Sequence, residues 1–214
     1  MLSRLLYRIF VRPAVVAAVN FLWVKEVKGI ENIPKSGGAI LAANHTSYLD
    51  FIIVPSIITA RLKRPTFILA AAELTKRPIV GIFARNDDCI LIDRTKVGNK
   101  PGAEFYKESL KALAEGQLLL LFPEGTRSSD GKVQPWKKGF VKMAVRAEVP
   151  VIPVTLKGTY EILPKGGNFI GFNKKCEVIV HKPVRLDRYY GGKIDKEAAQ
   201  KIADSIRGTV ASAL

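Results

Sequence analysis

Residues 38–62 read GAILAANHTSYLDFIIVPSIITARL, and the change of character along this stretch sets the architecture. Gly38–Ala43 is a short apolar run with turn residues before it, the pattern of a buried strand. Leu49–Leu62 is too long for a strand and reads as a helix. The polar residues between them make a strand-to-helix turn. The same alternation recurs outward. Thr66–Ala71, Cys89–Ile92, Leu118–Phe122, Val151–Leu156 and Glu177–Val180 are further strand candidates. Pro78–Ala84, Pro101–Glu115, Lys137–Ala147 and Ile194–Ala213 are helix candidates, Pro101 suiting a first turn and Gly116 a stop. This predicts an α/β fold: one domain with a central, largely buried sheet flanked by helices. No internal repeat, low-complexity tract or Pro/Gly-rich linker divides it.

Composition bounds the function. The 214 residues hold 34 Lys plus Arg against 19 Asp plus Glu, a formal net charge of +15. That length buries a real core, and 48% hydrophobic residues exclude a disordered chain. Two cysteines, Cys89 and Cys176, exclude a disulfide scaffold, and two histidines, His45 and His181, leave little for a histidine metal site. The charge implies an anionic partner: nucleic acid, acidic lipid or an acidic carrier. The cations are dispersed, with no aromatic-interleaved basic stripe, which speaks against nucleic acid.

Met1–Val24 carries Arg4, Arg8 and Arg12 and no acidic residue. Their i, i+4, i+8 spacing places them on one helix face, with Leu5, Leu6, Ile9 and Phe10 largely opposite. Pro13 interrupts, and the uncharged run after it ends in Phe21, Leu22 and Trp23. Twelve helical residues span only about 18 Å, too short to cross a hydrocarbon core of about 30 Å. Two short helices dipping into one leaflet fit best, with Trp23 at headgroup level. A signal peptide and a helix packed on the domain are the alternatives. The expected division is 1–24, membrane-associating helices, and 25–214, the folded domain.

The chemistry lies at the strand ends. In Asn44-His45-Thr46-Ser47-Tyr48-Leu49-Asp50, positions 45 and 50 would diverge on a regular helix. They meet only if His45 sits on the turn, where Asp50 would fix its tautomer and leave the other nitrogen as a general base. The spacing alone favours the plain alternative, a surface histidine with Asp50 as a helix-terminus carboxylate. Phe122-Pro123-Glu124-Gly125-Thr126-Arg127-Ser128 comes directly after the Leu118–Leu121 run. Gly125 permits close backbone approach, Arg127 offers a fork for phosphate, and Glu124 suits a substrate hydroxyl or Arg127 itself. A polar loop with a local Glu–Arg pair is the plain alternative. Ile90–Arg94 ends another strand, with Arg94 a second phosphate ligand or a structural partner of Asp93. Val149–Val154 carries no reactive group and should wall a cavity or the core, and Lys137 and Lys138 add cations near the second loop, where a solvated basic turn is the plainer reading.

These segments, in this order, resemble the glycerolipid acyltransferase family, specifically 1-acylglycerol-3-phosphate (lysophosphatidic acid) acyltransferases. The family's Asn-His-x4-Asp motif is matched by Asn44, His45 and Asp50, with Ser47 at its usual place. Its Phe-Pro-Glu-Gly-Thr-Arg-Ser motif is matched throughout by Phe122–Ser128. Ile90–Arg94 is similar to the second motif, and Val149–Val154 to the fourth with Val151 for Ile. Val27–Pro34 looks like the family's lead-in, and the likeness runs from about Val24 to Val184. His181 lies where no catalytic residue is expected and is read as structural. The chain is short for the family, leaving little room for an extra lid.

The resemblance implies acyl transfer from a thioester, acyl-CoA or acyl carrier protein, to the sn-2 hydroxyl of lysophosphatidic acid. Glycerol-3-phosphate or another lipid acceptor is the alternative. His45 and Asp50 would form the catalytic pair, without an acyl-enzyme. Arg127, Arg94 and Lys137 or Lys138 would hold phosphate, while Glu124 and Thr126 contact the glycerol and Gly125 and Ser128 complete the substrate loop. No metal or cofactor is expected. The expected partner is an anionic membrane, with the chain monotopic or peripheral on the cytoplasmic face of the cell membrane.

Overall fold

A computed structural model describes residues 6–76, 81, 89–92, 102–167 and 169–214. Arg4, Leu5, Arg94, Pro101 and, apart from Gly81, the expected helix Pro78–Ala84 lie outside the described residues. Among those described, seven strands form one sheet: β1 (Val24–Lys28), β2 (Ala39–Ala43), β3 (Thr66–Ala71), β4 (Cys89–Ile92), β5 (Leu118–Leu121), β6 (Val151–Lys157) and β7 (Cys176–Val180). Their order is β1-β7-β6-β2-β5-β3-β4. Neighbours are parallel except β6 and β7, which run antiparallel.

The central strands are buried on both faces, so they read as unbroken apolar runs instead of alternating ones. Every residue of β2 and β5 is buried. The pleat still sorts them. Leu41, Leu118 and Leu120 enter the core on one face, and Ile40, Leu119 and Leu121 enter that on the other. The first face is covered by α1 (Arg12–Leu22) and α2 (Asp50–Leu62), while α3 (Gly102–Ala114) and α4 (Gly139–Ala147) cover the second. A short α5 (Thr159–Ile162) succeeds β6, and α6 (Lys196–Ala211) closes the second face. Asp195 caps α6 by accepting from the N–H groups of Glu197 and Ala198, both at 2.8 Å. The expected strands and helices thus stand within about two residues of their predicted ends, apart from the helix outside the described residues. β1 is additional: its VKEVK sequence has no apolar run, and its identity comes from pairing with β7 at the sheet edge.

The amino-terminal segment is helical on both sides of Pro13, but without a break. Pi-helical turns over Tyr7–Val11 lead directly into α1, with Pro13 in its first turn, where a missing N–H costs nothing. Tyr7 and Val19 are buried, and Val15 and Leu22 pack on the same core. Leu6, Ile9, Phe10, Val11 and Phe21 remain exposed, Phe21 at 82%. Two expected anchor residues face elsewhere. Trp23 is buried, its ring stacked 5.8 Å from that of Phe172, because its carbonyl already pairs with the Cys176 N–H at 2.7 Å. Arg12 is half-buried and donates to the Thr59 hydroxyl on α2 at 3.4 Å instead of standing free at the surface. The Arg8 side chain lies outside those described. No helix among the described residues is long and apolar enough to cross a membrane.

Candidate active site

β2 and β5 are parallel neighbours, so the turn after one and the loop after the other emerge at the same sheet edge. Asn44 starts the first turn. Its side-chain amide donates to the Leu156 carbonyl at 2.9 Å and accepts from the Leu156 N–H at 2.8 Å. One side chain thereby replaces a rung of the β2–β6 ladder and frees the main chain to turn.

Asp50, fully buried in the first turn of α2, organises the residues that lead into that helix. Its Oδ2 accepts from the Thr46 and Ser47 N–H groups and from His45 Nδ1, each at 2.8 Å. The turn is wrapped around one carboxylate oxygen, which reconciles the five-residue separation with contact. Nδ1 carries the proton, since a carboxylate only accepts, and Nε2 is left as the imidazole's basic nitrogen. The ring stacks on Phe122 with centroids 4.0 Å apart and planes 18° off parallel.

The second loop clamps the histidine's own backbone. His45 N–H donates to Glu124 Oε1 at 3.1 Å, and its carbonyl accepts from the Ser128 N–H at 2.8 Å. Two expected substrate contacts are buried. Glu124 is 5% exposed, holds the His45 N–H and is not among the residues that line the cavity. Ser128 is buried too, its hydroxyl spent on Asp130 at 2.8 Å. Burial pushes the Glu124 carboxyl up to about 7, opposed by the His45 and Gln134 N–H groups and aided by the charge on Asp50.

Gly125, Thr126, Arg127 and Lys137 line the cavity beside His45. Gly125 has φ 73° and gives way to Lys137, whose Nζ would lie 3.0 Å from a Cβ there. Arg127 lies flat on Tyr48, its guanidinium carbon 3.2 Å from the ring centroid, and its Nη1 is buried without a hydrogen-bond partner. Lys138, by contrast, caps α4 with its carbonyl and does not line this cavity. The cavity holds about 840 Å³, in the range of small-molecule sites. The rest of its wall is largely apolar, with Phe51, Ile68, Phe105, Phe140 and Met143 among the lining residues and Lys142 and Tyr106 as further polar ones. The start of α4, at Gly139, also opens on it, adding the positive end of a helix dipole. Sequence reasoning misses Tyr48 and Lys142. Tyr48 lies inside the Asn44–Asp50 stretch, but only the meeting of two loops reveals its stacking on Arg127.

His181 sits apart. Its Nε2 meets the Thr155 hydroxyl at 2.8 Å, and that hydroxyl's proton goes to the Val210 carbonyl at 3.0 Å, so the ring is the donor. Val149–Val154 supplies core residues of β6, Val151, Ile152 and Val154 all buried.

Comparison with known proteins agrees with this layout. The family model for Acyltransferase matches residues 25–157, more than half of the sequence, and the chain belongs to that family. Its relatives include the chloroplastic 1-acyl-sn-glycerol-3-phosphate acyltransferase BAT2 of Brassica napus, 31% identical over 185 residues, covering 85% of this chain and 50% of that one. The 1-acyl-sn-glycerol-3-phosphate acyltransferase of Borreliella burgdorferi is 32% identical over 180 residues, 82% of this chain and 68% of that one. The chain therefore spans about half the length of the plant relative. Among solved structures, the 1-acyl-sn-glycerophosphate (LPA) acyltransferase PlsC of Thermotoga maritima matches with a TM-score of 0.68 and 30% identity, covering 95% of this chain and 79% of that one.

Proposed function

We propose that the chain is a 1-acyl-sn-glycerol-3-phosphate O-acyltransferase, moving a fatty acyl group from an acyl-thioester to the sn-2 hydroxyl of lysophosphatidic acid. One observation carries the reading: His45 is held by Asp50 through Nδ1 in the wall of a cavity lined by both cations and apolar side chains. An acceptor with a phosphate, a hydroxyl and an acyl tail presents the matching chemistries. His45 Nε2 takes the hydroxyl proton as the oxygen bonds to the thioester carbonyl carbon. When the tetrahedral adduct collapses, the C–S bond breaks and the imidazolium returns that proton to the thiolate. Asp50 stays charged and stabilises the imidazolium. Arg127, pre-oriented by Tyr48, and Lys137 hold the phosphate. The acyl-thioester, on coenzyme A or acyl carrier protein, is the co-substrate, and the step draws on no other cofactor.

Lipid substrates place the work at a membrane, and we assign the apolar residues exposed on α1 and the turns before it to an anionic bilayer, on its cytoplasmic face. The test is an incubation of detergent-purified chain with an acyl-thioester and either lysophosphatidic acid or glycerol-3-phosphate, following thiol release and product. Phosphatidic acid from the first acceptor is expected. Thiol release with glycerol-3-phosphate alone would overturn the acceptor, and no release with either would overturn the reaction.

A further inference from the structure

A second apolar projection stands beside α1, in the segment between α5 and β7. Phe169 is 90% exposed and Phe172 is 62% exposed, values that a folded chain rarely leaves to phenylalanine. No acidic residue occurs between Leu163 and Lys175, whereas Lys165, Lys174 and Lys175 are all at the surface. Phe172 stacks on Trp23, and Lys175 Nζ donates to the carbonyls of Phe21 and Leu22, at 3.2 and 2.7 Å, closing the end of α1. Phe21 and Phe172 are thereby tied to each other through Trp23 and Lys175.

The root of this segment is bonded to the catalytic turn. Ser47, whose N–H is held by Asp50, donates its hydroxyl to the Leu163 carbonyl at 2.8 Å and forms an antiparallel bridge with Pro164. Gly171 N–H donates to the Ile162 carbonyl at 2.8 Å, which folds the segment back on its own start. We propose that Phe169 and Phe172 are a second membrane-inserting element, entering an anionic bilayer alongside α1, and that the Ser47 link fixes the height of His45 above the lipid surface. The inference rests on the lipid-substrate reading above. A bilayer suits the surface better than an acidic carrier protein: lysines read either, but phenylalanines this exposed, beside the exposed apolar residues of α1, match hydrocarbon better than an acidic surface. Two contact points also define a plane of approach, which one helix alone does not.

The experiment uses the full chain and vesicles of phosphatidylcholine with about 30% phosphatidylglycerol. In Phe169→Trp, the added indole is expected to shift its emission to the blue and to be quenched by brominated acyl chains beyond the quenching of Trp23 and Trp136 in the parent chain. In Phe169→Ser/Phe172→Ser, partitioning to vesicles should fall by about tenfold or more. Turnover of vesicle-borne lysolipid should fall with it, while turnover in detergent is unchanged. Phe169→Ser alone, which leaves the Trp23 stack intact, serves if the double variant does not fold. An added indole that stays unquenched while the chain sediments with vesicles overturns the proposal. So does undiminished partitioning of the serine variants, including the case where they lose binding to acyl carrier protein or self-association instead. A parent chain inactive in detergent would refute the reaction and leave the quenching result to stand by itself.

Discussion

The two histidines of this chain are both hydrogen-bonded, both at the end of a strand, and chemically unlike. His45 comes after β2 and gives its Nδ1 proton to a buried carboxylate; His181 comes after β7 and gives its Nε2 proton to a threonine hydroxyl. The first partner is charged and held by two backbone N–H groups, so a positive imidazolium has a waiting counter-ion. The second partner is neutral, and burial pulls the His181 ring below its ordinary value of 6.5. The first ring borders a cavity; the second ties the end of β7 to Thr155 on β6, whose hydroxyl goes on to α6. A histidine is turned into a base by the charge behind it and the space in front of it, and sequence position supplies neither alone.

The strongest way to break this contrast is His45→Ala. Turnover of lysophosphatidic acid should drop by about 10³-fold or more, with folding intact because the ring is at the cavity edge. Near-normal turnover would remove His45 from the mechanism. Asp50→Asn sharpens the same point from behind. It can still accept from the Thr46 and Ser47 N–H groups, but it loses the counter-ion and the tautomer control, so kcat should fall by ~10²–10⁴-fold with little change in KM. A variant that loses binding instead of kcat would mean that Asp50 only shapes the turn.

How much of this is legible in the sequence depends on how local each cause is. The strands, the helices and the His45–Asp50 meeting are readable because a polar turn between a buried strand and a helix leaves few geometries. β1 is not, since Val24–Lys28 is a strand only through β7, more than a hundred residues away. Glu124 shows the same limit in the site. Its motif places a carboxylate next to a glycine and an arginine, but its direction comes from β5 lying beside β2, which puts the His45 N–H above it. Trp23 reads as an interfacial aromatic on composition, and the sheet edge that buries it is again β7. Lys138 and Ser128 sit at positions as suggestive as Lys137 and Arg127. Only the course of the backbone decides which of these face the cavity.

Glu124→Gln tests how the turn is supported. Gln keeps an oxygen for the His45 N–H but cannot ionise. The carboxyl rises from 4.5 to about 7 in the folded chain, so wild type is favoured below the unfolded value and loses that contribution as pH climbs through about 7. The variant should therefore gain stability relative to wild type at pH 8, on the order of 3 kcal/mol, and show almost none of that gain near pH 4. Urea midpoints at the two pH values measure it. A constant offset across the range would show that the Glu124 carboxyl titrates in the fold as it does in the unfolded chain.

His181→Ala should have the smallest effect, and of opposite pH sense. The variant loses one hydrogen bond to Thr155, worth about 1 kcal/mol, and leaves the reaction untouched because neither His181 nor Thr155 lines the cavity. Its folded value lies below 6.5, so the wild-type ring is stabilising above 6.5 and becomes a burden as pH falls from there toward the folded value. The stability gap between wild type and variant should accordingly be widest at pH 8 and narrow at pH 5, while kcat and KM stay at wild-type values throughout. Loss of turnover in a stably folded His181→Ala would collapse the distinction between the two histidines, because it would tie the β7 end of the sheet to the chemistry at the end of β2.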